Sequence, residues 1–143
     1  MVLLSRKFLY ICNCYDAYIV IVREVINPVF KENKLPEITI RIGLAYGHAL
    51  VVLYGKSLEK AHIDIIGSSI SLAAKIASIA KPNQVLVGEF IYNTLVSSSA
   101  NHKDLFLKKN KFVELNLDPI KWKYLSHFDP ESMYHVYEYL EIN

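Results

Sequence analysis

Cysteine is nearly missing from this chain: Cys12 and Cys14 are the pair among 143 residues. Two positions apart on a helix they face different sides, so they neither bridge nor make a metal site alone. Reduced core thiols in a cytoplasmic protein are the expectation. Charge of one sign is also scarce, since the formal net charge is +2. That balance is too small a surplus to argue for a nucleic-acid partner by itself. A long hydrophobic run is lacking too. The stretch from Val2 to Val22 is interrupted by Ser5, Arg6, Lys7, Asn13 and Asp16, whereas a spanning helix needs about 20 predominantly apolar residues. Tyr15-Asp16-Ala17-Tyr18 makes a poor cleavage site for a signal peptide. There is no Walker-type phosphate loop and no Gly-x-Ser-x-Gly elbow. His48, His62, His102, His127 and His135 lack ligand spacing, which argues against zinc. With no repeat and no Gly/Ser-rich linker, residues 1–143 read as one domain.

What is present is enough apolar residue to build a core: 52% hydrophobic against 21% charged, a globular balance. From Arg6 to Lys34 the apolar positions Ile11, Tyr15, Tyr18, Ile19, Val22, Ile26, Val29 and Phe30 recur at steps of three and four. That spacing predicts a long helix with one apolar stripe. Pro28 removes a backbone donor inside it, so a kink or an early end is expected. Ile38 to Leu44 alternates and is rich in β-branched residues, which predicts a strand. Gly47-His48 marks a turn, and Ala49 to Tyr54 a returning strand. Leu58 to His62 reads as a loop. Gly67-Ser68-Ser69 opens a helix to about Ala80, with either serine a natural N-cap. A short strand from Gln84 to Val87 and a helix from Glu89 to Val96 follow. Leu105 to Leu117 reads as a strand pair turning at Lys109-Asn110, and Tyr134 to Leu140 as a last strand. Helices mixed with antiparallel-capable strands make the class α+β.

Within Ile40 to Leu95, the ordered set Arg41-Ile42-Gly43-Leu44, Gly47, Asp64-Ile65-Ile66-Gly67 and Ala73-Ala74-Lys75 resembles one enzyme family. That family is the class III nucleotidyl cyclases, the adenylate and guanylate cyclases. The resemblance implies a ferredoxin-like core with extra C-terminal strands, and head-to-tail dimers with the site between protomers. In that family the ribose 3′ oxygen attacks the α-phosphate and expels pyrophosphate, with two metals clamping the attacking and leaving oxygens.

Residue by residue, Asp64 matches the purine-reading aspartate, with Ile65 beside it. A carboxylate there accepts from the amino group of adenine, whereas the carbonyl of guanine would meet it lone pair to lone pair. ATP is the implied nucleotide. The family's ribose-holding Asn falls at Ser71, whose hydroxyl is shorter and lacks the amide pair. Its phosphate-holding Arg falls at Lys75, which keeps the charge but loses the bidentate fork. The metal aspartates and a purine-reading lysine lie upstream in the family, with Val2-Leu3-Leu4 matching the tail of a strand. The resemblance therefore covers the C-terminal part of a cyclase domain. Mg²⁺ or Mn²⁺ is expected from the family, with no ligands in this chain. Two functions follow: an adenylate cyclase homologue inactive on its own, or a degenerate module that dimerises or senses nucleotide. Self-association is expected from an uncovered sheet edge and an apolar helix face, with neither nucleic acid nor membrane as partner.

Overall fold

A computed structural model describes residues 2–55, 62–99 and 111–140. The chain enters as helix α1 (Val2–Ile21), passes through a π-turn (Val22–Ile26) and continues as α2 (Asn27–Glu32). Val2-Leu3-Leu4, expected as the end of a strand, is the first turn of α1. No turn-forming residue separates it from the helical stripe, so nothing stops the helix there. The expected kink at Pro28 is resolved upstream of it. Pro28 sits in the first turn of α2, where its missing N–H deprives no carbonyl within that helix. The ladder reaches that point through a shift of register, with the Asn27 N–H bonded to the Val22 carbonyl five residues back. The Asn27 side chain then clamps the outgoing loop, donating to the Ile38 carbonyl and accepting from the Ile38 N–H, both at 2.9 Å.

Strand β1 (Arg41–Leu44) follows, then a hairpin of β2 (Leu50–Tyr54) and β3 (His62–Ile66). Sequence pattern leaves β3 unassigned, because the alternation of His62 to Ile65 is only four residues long and abuts the expected loop. Pairing with β2, in the register Leu50 to Ile66 and Tyr54 to His62, makes it a strand. Helix α3 (Ser68–Ile79) begins at once, with Gly67 at the N-cap and no side-chain cap from either expected serine. Strand β4 (Gln84–Gly88) runs directly into α4 (Glu89–Ser99), and β5 (Phe112–Glu114) and β6 (Val136–Tyr139) close the fold. The expected turn at Lys109-Asn110 lies outside the described residues. Within its expected C-terminal arm lies β5, which pairs antiparallel with β6.

The main sheet has the order β1-β4-β6-β5. The pair β1 and β4 is parallel, and β6 lies antiparallel to both of its neighbours. Val85 and Val87 of β4 and Tyr139 of β6 meet Phe8 and Ile19 of α1 and Ile91 and Leu95 of α4. On the opposite face Leu86 and Val136 meet Leu72 and Ile76 of α3, with Trp122 and Tyr134 from the segment between β5 and β6. A strand buried on both faces reads as a continuous apolar run, which is why Val85-Leu86-Val87 does not alternate. Gly43 lets α3 lie directly on β1, since a Cβ there would stand 2.3 Å from the Ala77 nitrogen and 2.5 Å from the Ala73 oxygen. The aromatics of the C-terminal segment divide: Trp122, Tyr134 and Tyr139 are buried, while Tyr124 and Phe128 are exposed.

The hairpin is built differently. Leu50 and Val51 are each 70% exposed and Ile63 is 69% exposed, so its apolar side chains face outward on a two-stranded ribbon. Among the described residues no strand pairs with the outer edge of β1. Tyr18 and Ile21 of α1, Val25 of the π-turn and Val29 of α2 are exposed along the outside of the helical segment.

Candidate functional site

The hairpin delivers Asp64 to the base of α3. Asp64 lies opposite Val52 and is followed three residues later by Gly67, which ends the ribbon. Gly67 is required by a close approach, because a Cβ there would stand 2.7 Å from the His48 oxygen and 3.1 Å from the Ala49 Cα. The Ser69 hydroxyl donates to the same His48 carbonyl at 3.1 Å, so both ends of the hairpin are tied to the first turn of α3. The Gly67 carbonyl accepts from the N–H groups of Ile70 and Ser71 at 3.1 and 3.4 Å.

These ties form an open groove of about 320 Å³, lined by Asp64, Ile65, Ile66, Gly67, Ser68, Ile70 and Ser71. Three of the four sequence-expected residues, Asp64, Ile65 and Ser71, share it. Lys75 does not line it. It lies one turn further along α3, half-buried, on the same helix face as Ser71. Asp64 is exposed, and one carboxylate oxygen accepts the Ile65 N–H at 2.8 Å. The other oxygen has no partner among the described residues. The groove is thus open, with its polar groups presented outward from one wall.

Ile66 and Ile70, which add apolar contact area to that wall, escaped sequence reasoning. Their signal was positional: Ile70 falls three residues after Gly67, so the first turn of α3 carries it to the hairpin base. Also missed was Glu89, 1% exposed at the start of α4. Its two oxygens accept the His127 N–H at 2.6 Å and the His135 N–H at 3.1 Å. Beside it the backbone N–H groups of Glu89 and Phe90 hydrogen-bond to the Tyr134 phenol. Burial, and next the Glu89 carboxylate, push that phenol well above its ordinary range. Nothing local marks a carboxylate as an anchor for a loop some forty residues away.

Among the described residues no group of three or more His, Cys, Asp or Glu side chains could hold a metal ion. Among the described residues, too, no helix is long and apolar enough to cross a membrane.

Comparison with known proteins agrees with the fold. A solved structure described as the catalytic core of a rhodopsin-guanylyl cyclase with converted specificity, in complex with ATPalphaS, matches at 22% identity with a TM-score of 0.50. The match covers 87% of this chain and 55% of that one, so this chain spans about half the length of the solved relative. Among curated proteins none matches. The family model for the adenylate and guanylate cyclase catalytic domain matches residues 5–118. Covering most of the chain, including the hairpin, α3 and the β1–β4 pair, that match shows that the protein belongs to the adenylate and guanylate cyclase catalytic-domain family.

Proposed function

We propose that residues 1–143 form one cyclase-homology domain that supplies the purine-reading wall of an adenylate cyclase site. The observation that carries this reading is the shared groove of Asp64, Ile65 and Ser71 at the foot of α3. Asp64 accepts from the amino group of adenine, the donor that guanine lacks at that position. Ser71 faces the ribose, and Lys75, a turn further on, supplies positive charge toward the phosphates without a bidentate grip. The second wall comes from another chain or segment, and so do the carboxylates for Mg²⁺ or Mn²⁺, because the described residues hold no three-ligand group. The metal would polarise the phosphates. This chain's own contribution is to select and orient the base.

A second copy is the proposed cover for the hairpin. A two-stranded ribbon is at best marginally stable alone in water, and this one exposes apolar side chains on both strands. Leu53 and Ile63 are a cross-strand pair next to its central pair, Val52 and Asp64. Light scattering across a concentration series is expected to show a dimer that Ile63→Lys dissociates. A monomeric mass at every concentration removes the proposal.

One specific observation favours a second reading, a degenerate module that senses nucleotide without turning it over. Serine and lysine occupy the positions where the family resemblance implies asparagine and arginine. The two readings separate by experiment. Thermal shift of the chain is expected to show ATP stabilising it more than GTP, with Asp64→Ala abolishing the difference. Incubation of the full-length gene product with ATP and Mn²⁺ is then expected to yield cyclic AMP. A retained ATP shift without cyclic AMP at micromolar protein leaves the sensing module. Loss of the shift itself removes both nucleotide readings.

A further inference from the structure

At the carboxyl ends of the parallel pair β1 and β4, the chain leaves a cavity of about 420 Å³ that shares Ser68 with the Asp64 groove and extends away from it. Crevices at the carboxyl ends of parallel strands are recurrent ligand sites, because the loops that leave neighbouring strands diverge there. Tyr46 follows β1 and Phe90 follows β4, and their rings stack with centroids 4.6 Å apart and planes 13° apart. Tyr124 and Leu72 extend that apolar wall. The polar groups of the rim are the hydroxyls of Ser68 and Ser69 and the imidazoles of His48 and His127, with no carboxylate among the lining residues.

The cavity is braced open. Its outer wall, the segment carrying Tyr124 and His127, is fixed in place by hydrogen bonds. Glu89 accepts the His127 and His135 N–H groups, the Trp122 indole donates to the Tyr134 carbonyl at 3.0 Å, and the Tyr134 N–H donates to the Tyr124 carbonyl at 2.8 Å. Collapse onto Phe90 would break bonds made by buried groups. A preformed, ring-walled space with hydroxyl and imidazole edges matches a flat molecule that stacks by its face and hydrogen-bonds by its rim. We propose that this cavity is a second small-molecule site, selective for a neutral bicyclic heteroaromatic ring bearing a hydrogen-bonding edge. It goes beyond the reading of the Asp64 groove and stands or falls separately from it.

The test uses the 143-residue chain, labelled for amide NMR, with 4-hydroxyquinoline as probe and cyclohexanol as the non-aromatic control. Expected are saturable shifts at Tyr46 to His48, Phe90 and Tyr124 to His127, and at the indole N–H of Trp122, the single tryptophan. Tyr46→Ala is expected to weaken binding about fivefold or more through loss of the stacking face. Tyr46 is 44% exposed but edges onto buried Phe8, so the amide spectrum of the Tyr46→Ala chain also checks that it is folded. Asp64→Ala is expected to leave the affinity unchanged, which separates this site from the nucleotide reading. Absence of saturable shifts at millimolar probe, equal binding of cyclohexanol, or full affinity in a folded Tyr46→Ala chain each overturns the proposal.

Discussion

The four-stranded sheet and the β2–β3 hairpin are made of the same kinds of residue and hold together in opposite ways. Val85-Leu86-Val87 and Ile63, Ile65 and Ile66 are all β-branched or aliphatic. In β4 they are buried on both faces by α1, α4 and α3. In β3 the same chemistry faces outward. The sheet is stabilised by its own burial, while the hairpin has backbone pairing and the tie at Gly67 to hold it. The candidate purine-reading residue thus stands on the less self-sufficient element. Elements that must meet a second body are drawn from the less stable part of a fold.

The contrast is sharpest under side-chain truncation. Leu86→Ala, at a fully buried site, is expected to cost about 3 kcal/mol through lost transfer energy and the cavity left behind. Ile63→Ala is expected to change stability by less than about 0.5 kcal/mol in dilute solution. Urea unfolding of both chains checks this; similar losses at the two positions would erase the distinction. Next in size is the anchor between α4 and the β5–β6 segment. Glu89→Ala is expected to cost about 2 kcal/mol, because two N–H groups lose their acceptor where water has little access. Glu89→Gln, which keeps one carbonyl oxygen, should lose less, and equal losses would mean that the bonds contribute nothing.

Outside the sheet, Asn27→Ala should cost about 1 kcal/mol, since the two bonds to Ile38 are exposed to competing water. Calorimetric melting would show it, and an unchanged midpoint would mean that the loop docks without its clamp.

The smallest effect is a slope at high pH. Burial first, then the charges of Glu114, Tyr92 and Glu89, push the Tyr137 phenol from 10.0 up to about 12. The folded chain therefore holds that proton where the unfolded chain releases it. This stability is complete below pH 10 and falls as pH rises from 10 toward 12. Tyr137→Phe should flatten the pH dependence in that window, and an identical slope in both chains would assign it elsewhere. Tyr137 stacks on Tyr92 at 3.7 Å, a contact that phenylalanine preserves.

Much of the sheet was legible because its pattern is local. The β4 run, the β6 alternation and the helical stripe from Ile11 to Val29 each mark their element by spacing. The π-turn was not, since a proline announces a disturbed ladder without saying whether the helix bends, ends or shifts register. β3 was hidden because its alternation, His62 to Ile65, is only four residues long and runs straight out of a polar loop. Of the candidate site, Asp64, Ile65 and Ser71 could be named from motif order and Lys75 could not be placed. A spacing along α3 does not say where the groove ends.

The amino-acid order alone settled the α+β class, the identity of most elements and the family resemblance at Arg41 to Lys75, because those depend on neighbours within a few residues. Which face of each strand is covered, that Gly43 and Gly67 are close-approach points, and that Glu89 anchors the distant β5–β6 segment were decided only in three dimensions. Those features come from contacts between residues far apart in sequence, and no local periodicity encodes their partners.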